Sequence, residues 1–404
     1  MADMAHKSGL DGVNHTAAAA ERQAQTTRAA AVLAASDAHI ACVSAGALRL
    51  LSTLSSSSHT ERLLQPALLT CACFDATGTQ LLAAGGDKQV ALWRLPSELS
   101  ATAMDAAVTS PVRRWTHGKK VGCVAFSPDG TMALWADLFG EVWGVSLDDA
   151  EAAPTLLLGH LSPVSHLSFS SDGGSIVTSD REGHVRSSHW PHAFVIECYY
   201  LSHTTPLQLM LPLRHAPLLV TAAAAGRGVC FWRAHSGVLL GKMSAARLLL
   251  GGDDGAAVER LETGGASAGV GGATAEGGGG SGILGGCEVL REVGSLIALL
   301  FSGRASVHFV ATRCTWDAVN AELLPRPELT VPLPEEPVAV SHSRGSGHLC
   351  VLLASGALVL VDAAAGGGAG FDATSVRAIT LRATPGVGPS CPAPAGLPDG
   401  PPSP

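Results

Sequence analysis

The chain has 404 residues, 47% of them hydrophobic, which is enough for one large all-β domain or two medium domains with a core of ordinary size. Its formal net charge of −8 argues against a surface that grips nucleic acid over its whole extent, because phosphate neutralisation needs clustered Lys and Arg, but it allows one local basic patch. No run approaches the roughly 18 apolar residues that span a bilayer, so we expect a soluble protein with no membrane partner.

The N-terminal segment, residues 1–37, is rich in alanine and polar residues with a few arginines. A transit peptide would be poor in acids, and Asp3, Asp11 and Glu21 disfavour it, so we expect a disordered tail and keep the transit peptide as the alternative. The ten cysteines form no CxxC pair, and no secretory signal is visible. This pattern predicts buried free thiols in a reducing compartment, with a metal site as the less favoured alternative.

Three segments further along the chain repeat one pattern: "CFDATGTQLLAAGGDKQVALWRL", "AFSPDGTMALWADLFGEVWGVSL" and "SFSSDGGSIVTSDREGHVRSSHW". Each has a Phe, a turn with Gly, an apolar run, a second turn and another apolar run. The phenylalanines are Phe74, Phe126 and Phe169. A blade of a WD-type propeller has four strands in about 40–45 residues, which matches this spacing. The segment from Phe74 to Phe126 is longer because it contains a loop, "PSELSATAMDAAVTSP".

Weaker copies of the pattern extend the series at 39–51, 218–243, 292–310 and 337–362. Together they predict an all-β, seven-bladed WD-repeat β-propeller over residues 38–362, since closing a ring of sheets removes exposed sheet edges.

Two further segments have the composition of disordered chain. We expect a low-complexity insertion at 251–282, between blades five and six, and a disordered Gly- and Pro-rich tail at 363–404. The glycines of the insertion have no strand before them and no helix after them, so we expect no bound cofactor.

Several polar residues recur at positions that are structural in such repeats. Asp87 and Asp137 occupy the turn before the third strand of their blades, Trp93 lies near the end of a third strand, and His160 is expected to bond Asp180. The alternative is a catalytic role, but no paired carboxylates and no metal-ligand spacing accompany these residues. We therefore predict no catalytic residue and no metal.

A basic run, "RRWTHGKK", stands out in this acidic chain. It contains Arg113, Arg114, Lys119 and Lys120. The run is either a solvated loop or a contact to RNA phosphate or to an acidic partner.

The segment from about 117 to 203 resembles the WD-repeat, non-catalytic subunit of the tRNA (guanine-N7)-methyltransferase. The most specific pieces are "ADLFGEVW" at 136–143, "LLGH" at 157–160 and "SDREGHVRSSHWPHAFVIE" at 179–197. The resemblance implies a heterodimer with a separate methyltransferase subunit, which binds S-adenosylmethionine and forms N7-methylguanosine in the variable loop of tRNA. It also implies a nuclear location, with the cytoplasm as the alternative.

The same resemblance implies a partner-binding site on blade four, formed by Asp180, Arg181, Glu182 and Arg186. In the family, the basic residue at the position of Arg186 faces an acid of the catalytic subunit. Because Ser187 and Ser188 stand where bulk is usual, we expect the strand end to leave room for that partner. The alternative is that Arg186 pairs within its own blade, for example with Glu182. The alternative function is a generic WD-repeat scaffold or substrate receptor in another assembly.

Overall fold

A computed structural model of the chain describes thirteen segments, and every structural statement below concerns them. They are residues 32–36, 39–44, 47–52, 61–66, 69–95, 110–214, 216–223, 228–243, 283–290, 295–316, 321–343, 348–362 and 376–379. Within them, no helix is long and apolar enough to cross a membrane. The described secondary structure is β-strand, arranged in seven antiparallel sheets of four strands each.

The strands are numbered in chain order, and each successive group of four forms one sheet. Sheet 1 contains β1 (Val32–Ala35), β2 (His39–Ser44), β3 (Ala47–Ser52) and β4 (Glu61–Pro66). Sheet 2 contains β5 (Leu69–Phe74), β6 (Gln80–Gly85), β7 (Gln89–Arg94) and β8 (Arg113–Thr116). Sheet 3 contains β9 (Val121–Phe126), β10 (Met132–Asp137), β11 (Glu141–Ser146) and β12 (Thr155–Gly159). Sheet 4 contains β13 (Val164–Phe169), β14 (Ser175–Asp180), β15 (Val185–His189) and β16 (Ile196–Tyr200).

The other three sheets follow the same order. Sheet 5 contains β17 (Leu207–Pro212), β18 (Leu218–Ala223), β19 (Val229–Arg233) and β20 (Val238–Met243). Sheet 6 contains β21 (Ile283–Leu290), β22 (Ser295–Phe301), β23 (Ser306–Trp316) and β24 (Ala321–Pro332). Sheet 7 contains β25 (Pro337–His342), β26 (His348–Leu353), β27 (Leu358–Asp362) and β28 (Val376–Ile379).

The first hairpin of sheets 3 and 4 turns where the sequence predicts it. In "SPDG" the amide of Met132 donates to Ser127 Oγ at 2.9 Å, and Gly130 has φ +73°. In "SSDG" the amide of Ser175 donates to Ser170 Oγ at 2.9 Å. The glycine provides the left-handed backbone that this turn requires. The serine hydroxyl accepts a hydrogen bond from a backbone amide that would otherwise lack a partner.

The first strands of the sheets pack against one another in ring order, and β25 of sheet 7 packs against β1 of sheet 1. Each gap between neighbouring sheets encloses one buried apolar cluster, so the described residues contain seven such clusters around the ring. This arrangement is a β-propeller, and it confirms the predicted fold class.

The propeller includes strands outside the predicted boundaries. β1 lies within the segment 1–37 that was expected to be a tail, and β28 lies beyond residue 362. Both strands have only four residues, which is too few for an apolar alternation to stand out from their Ala- and Gly-rich surroundings. The predicted insertion at 251–282 and most of the predicted tails lie outside the described residues.

Candidate functional site

One end of the ring carries two kinds of connection in each blade. Because the strands are antiparallel, the turn between the second and third strands lies at the same end as the loop that enters the next sheet. We call this end the upper face. The sequence-predicted Asp and His residues of sheets 3 and 4 lie on it.

In sheet 3, the buried carboxylate of Asp137 organises the upper turn. Its Oδ1 accepts the amides of Phe139 at 2.8 Å and Glu141 at 3.0 Å, and its Oδ2 lies 3.0 Å from His117 Nε2. Burial alone would raise the pKa of Asp137, but the hydrogen bonds from His117 and the two amides, together with the charge of Lys119, hold it below its ordinary value. Asp137 therefore fixes the turn as an anion.

In sheet 4, Asp180 plays the same part. Its Oδ1 accepts the amides of Glu182 and His184, both at 3.0 Å, and its Oδ2 lies 3.6 Å from His160 Nδ1. His160 Nε2 is 2.8 Å from Thr178 Oγ1. Burial, and then the charge of Arg186, lower the pKa of His160 to about 4, with Asp180 opposing them. The sequence predicts a hydrogen bond between His160 and Asp180, but at 3.6 Å the two groups are only an ion-pair distance apart, and Asp180 Oδ2 lies nearer to His184 Nδ1, at 3.2 Å.

Sheets 2 and 5 have only part of this set of hydrogen bonds. In sheet 5, His203 Nε2 and Trp232 Nε1 both contact Thr221 Oγ1, at 2.7 and 2.8 Å. In sheet 2, Trp93 is fully buried, but its indole nitrogen has no partner in the described part of the chain, since the register places Ala83 where sheet 5 has Thr221. Asp87 is only partly buried and accepts the amide of Gln89 at 3.2 Å.

The predicted partner-binding residues divide into two groups. Arg181 and Glu182 are exposed at the upper turn of sheet 4, whereas Asp180 is buried in the contacts just described. Arg186 is only 9% exposed. Two of the four predicted residues are therefore exposed to a partner, whereas the other two have contacts inside the propeller, and the partner-binding role of all four stays a prediction.

Arg186 lies between sheets 3 and 4, on the face of β15 that also carries Ser188. Its charge interacts with Tyr199, its register partner on β16, and with Asp180, and burial lowers the pKa of the guanidinium. Its Nε has no hydrogen-bond partner among the described residues. Within the blade, the charge of Arg186 thus interacts with Tyr199 and Asp180, and the described residues show no ion pair between Arg186 and Glu182.

Ser187 and Ser188 are also buried. The strand end was predicted to leave room for a partner, but it is closed to solvent. Ser187 Oγ donates to Glu197 Oε2 at 2.9 Å, and Ser175 Oγ donates to the same oxygen at 2.6 Å. The hydroxyls of Ser175 on β14 and Ser187 on β15 thus share one carboxylate on β16, which explains the small polar residue at 187. The Ser188 hydroxyl has no hydrogen-bond partner among the described residues.

The basic run is not one surface. Arg113 donates to the carbonyl oxygens of Ser146 and Ala150 in sheet 3, each at 3.1 Å, and Arg114 donates to Gln89 Oε1 at 2.8 Å. Lys119 pairs with Glu141 at 3.0 Å, while Lys120 is exposed. Arg113 and Arg114 are the first two residues of β8, whereas Lys119 and Lys120 lie in the loop that follows this strand.

A polar cluster that the sequence does not predict lies at the opposite end of sheet 4. His235, from a turn of sheet 5, lies 3.3 Å from Asp172 Oδ2 through Nε2 and 3.3 Å from Ser175 Oγ through Nδ1. A Ser-His-Asp set suggests a nucleophile, but the Ser175 hydroxyl is buried and committed to Glu197, and the adjoining cavity has a volume of only about 10 Å³. The cluster is suited to joining sheets 4 and 5 rather than to binding a substrate.

No metal site accompanies these residues in the segments that the structure describes, where no three His, Cys, Asp or Glu side chains are grouped to hold an ion. Burial raises the pKa of the Cys71 thiol to about 12, and this thiol donates to the carbonyl of Ala84 at 3.3 Å. Cys71 is therefore a protonated core thiol.

A ring of seven four-stranded sheets, with His and Asp residues of this kind at its upper turns, defines a WD-repeat β-propeller. Residues 50–94 match the family model of the WD domain, G-beta repeat. Residues 148–261 match the model described as the tRNA methyltransferase TRM82 WD40 domain. That match includes all of sheet 4 and supports a WD-repeat protein of the TRM82 type.

Solved structures share the fold at low sequence identity. A chain of the structure called "Crystal Structure of Mitotic Checkpoint Complex" matches with a TM-score of 0.59 and 12% identity, over 82% of this chain and 88% of that one. The structure called "Crystal structure of WD40 beta propeller domain of Doa1" matches with a TM-score of 0.52 and 13% identity, over 81% of this chain and 90% of that one. At this identity the likeness concerns the fold alone.

Proposed function

We propose that this protein is the non-catalytic subunit of a tRNA (guanine-N7)-methyltransferase. In this role it binds and stabilises a separate methyltransferase subunit, which holds S-adenosylmethionine and forms N7-methylguanosine in the variable loop of tRNA. The observation that carries the proposal is the match of residues 148–261 to the TRM82 WD40 domain. It covers the sheet whose sequence, "SDREGHVRSSHWPHAFVIE", also carries the resemblance to this family.

The geometry of sheet 4 refines where such a partner could bind. Arg181 and Glu182 are exposed on the upper turn, and Asp180 holds that turn through two amides. Arg186 is buried in the same sheet, where its charge interacts with Tyr199 and Asp180. In the proposed site Arg181 and Glu182 are therefore contact residues, while Asp180 and Arg186 are positioning residues.

The test is to express the methyltransferase subunit with and without this chain and to measure guanine-N7 methylation of tRNA. We expect a co-purifying complex, and methylation that depends on both proteins. A methyltransferase subunit that is equally active and equally stable alone would contradict the proposal. It would leave a WD-repeat scaffold of another assembly as the function.

We also propose a nuclear location, on the family resemblance alone. A fluorescent fusion of the full chain, imaged in cells together with a nuclear stain, tests it. Exclusion of the fusion from the nucleus would contradict it.

A further inference from the structure

Large apolar side chains are exposed on the upper face of sheets 3 and 4. Phe139 is 67% exposed, Leu161 is fully exposed at 107%, and Leu201 is 66% exposed. Leu138 beside Phe139 is exposed to a smaller extent. We call these four residues the apolar arc. Single exposed apolar residues are common on proteins, so what matters is whether these form one surface.

Backbone contacts connect the segments that carry the arc. The amide of Leu138 donates to the carbonyl of Lys120 at 3.0 Å, and the amide of His160 donates to the carbonyl of Gly140 at 2.8 Å. The amide of Arg181 donates to the carbonyl of Pro163 at 2.9 Å. Each upper turn therefore packs against the neighbouring loop, from Lys120 to the turn of sheet 4.

The arc continues from that turn to the loop that carries Leu201. A Cβ placed on Gly183 would lie 2.6 Å from the carbonyl oxygen of Thr205, which is too close for any side chain. Gly183 also has φ +87°, a conformation that favours glycine. The turn of sheet 4 is thus in close contact with the loop at 201–205, so the backbone segments that carry the arc adjoin one another along the upper face.

The arc is held in a fixed shape. The amide of Phe139 is bonded to the buried Asp137, and Lys119 Nζ lies 4.7 Å from the centre of the Phe139 ring. A Cβ on Gly140 would lie 2.5 Å from the carbonyl oxygen of His160, so this turn has no space to shift. A preformed apolar surface loses little conformational freedom when a partner binds.

The charges around the arc indicate the kind of partner. Lys88, Lys120 and Arg181 are exposed beside it, and Glu182 is the exposed acid among the described residues of the upper turns of sheets 2 to 4. The local excess of positive charge contrasts with the net charge of −8 for the whole chain. An acidic surface with apolar residues at its centre is therefore complementary to this face.

RNA is a poorer fit than protein for the same surface. Single-stranded RNA is bound by aromatic side chains that stack on bases and by free cations that neutralise phosphates. Here two of the three most exposed residues are leucines, Lys119 is paired with Glu141, and Glu182 would face the phosphates. These features favour a protein.

We infer that the apolar arc, rather than Arg186, is the main contact surface for the methyltransferase subunit, and that it binds an acidic face of that subunit with apolar residues at its centre. This inference rests on the proposed function. Arg181, Lys120 and Lys88 supply the surrounding charge, and Phe139, Leu161 and Leu201 supply the buried centre of the interface.

The experiment measures the affinity of the full-length chain for the methyltransferase subunit by titration. We expect Leu161→Asp to raise Kd about tenfold or more, because a central apolar contact is replaced by a charge that must be desolvated. The matched control is Phe194→Asp, which introduces the same charge at a residue that is 75% exposed at the lower end of sheet 4. We expect this control to bind like the wild type. Thermal unfolding of both variants should match the wild type, since neither side chain is buried.

Three outcomes would overturn the inference. If the wild type binds the subunit and Leu161→Asp binds equally well, even when combined with Leu201→Asp, the arc is not the interface and the proposed function still stands. If the wild type does not bind the subunit, the proposed function fails and the inference fails with it. If Leu161→Asp weakens the binding of tRNA to the isolated propeller and leaves the protein complex intact, the arc is an RNA surface.

Discussion

At the scale of single residues, a buried carboxylate determines the shape of each upper turn in sheets 3 and 4. Asp137 and Asp180 each accept two backbone amides from the turn that follows them, and each also faces a histidine from the preceding loop. An apolar residue at either position would leave these donors without this acceptor inside the protein. Because the exposed residues of the upper face lie on the same turns, folding stability and partner binding share these contacts.

We expect Asp180→Ala to lower the free energy of unfolding by about 2–3 kcal/mol, since hydrogen bonds to a buried charged group are worth this much. Urea denaturation of the purified chain measures the effect. The control is Glu182→Ala on the same turn, whose exposed carboxylate should change the stability by less than about 0.5 kcal/mol. Equal stability of the two variants would show that Asp180 does not hold the turn.

Buried histidines make the stability depend on pH. Burial lowers the pKa of His160, His166 and His203 from 6.5 to about 4, whereas in the unfolded chain each regains its ordinary value. The unfolded state therefore binds more protons than the folded state between these values. The stability that neutral histidine contributes is fully present above pH 6.5 and decreases as the pH falls from 6.5 to about 4.

We expect the double variant His160→Asn, His203→Asn to depend less steeply on pH than the wild type over this range. Each removed imidazole should reduce the pH-dependent change by about 1–3 kcal/mol. Urea denaturation at intervals from pH 4 to 7 gives the slope. An unchanged slope would mean that these two histidines do not titrate on unfolding, whatever the absolute loss of stability in the variant.

At the scale of elements, Glu197 joins three strands of sheet 4. It lies on the outer strand β16 and accepts the hydroxyls of Ser175 on β14 and Ser187 on β15. Those two serines are almost fully buried, so their hydroxyls depend on this acceptor. The exposed carboxylate therefore fixes the outer strand against the two inner ones.

We expect Glu197→Ala to destabilise the chain by about 1–3 kcal/mol, because it leaves two buried hydroxyls without their acceptor. Glu197→Gln keeps one carbonyl oxygen at the same place and should lose clearly less. Thermal unfolding of the two variants next to the wild type provides the comparison. A Gln variant as unstable as the Ala variant would indicate that charge, and not hydrogen bonding, is what matters.

The sequence predicts the strands and hairpins of the sheets better than it predicts which neighbouring sheet covers a given side chain. Turn motifs with Asp and Gly identify the hairpins of sheets 2 to 4 because local chemistry determines them. The burial of Arg186 depends on sheet 3, which covers one face of β15, and a period-two pattern cannot say which neighbour covers a face. Ser187 and Ser188 suggested open space for the same reason, although the partner of Ser187, Glu197, lies ten residues further along the chain.

Part of the apolar arc is visible in the sequence when the upper turns of the repeats are compared. The upper turn of sheet 2 is polar, with Asp87 and Lys88, whereas the same turn of sheet 3 has Leu138 and Phe139. Large apolar residues in a turn have no place in the core of the blade. They indicate an exposed surface, but whether the loops beside them form one patch depends on contacts between sheets.

At the scale of the whole molecule, the ring is closed by packing between separate sheets. All four strands of sheet 1 come from the start of the described chain and all four of sheet 7 from its end, so no strand is shared between the two ends. The closure is the buried cluster between sheets 7 and 1, formed by Leu33, Ile40, Cys42, Leu51, Cys350, Leu352 and Leu358. Among the described strands no sheet pairing crosses this gap, so its stability depends largely on the apolar area that these side chains bury.

β1 is the most vulnerable part of that closure. It has four residues, of which Leu33 is the buried member, and it contacts both β25 of sheet 7 and β5 of sheet 2.

We expect deletion of residues 1–35 to lower Tm by roughly 5–10 °C and to promote association, because it exposes the edge of β2 and the facing surface of sheet 7. Deletion of residues 1–31 keeps every described strand and is the matched control, with Tm expected to equal that of the full chain. Calorimetry and size-exclusion chromatography of the two truncated chains measure both effects. If the shorter chain melts and elutes like the control, β1 does not contribute to closure, and the contacts of β2 and β3 with sheet 7 are sufficient to hold the ring.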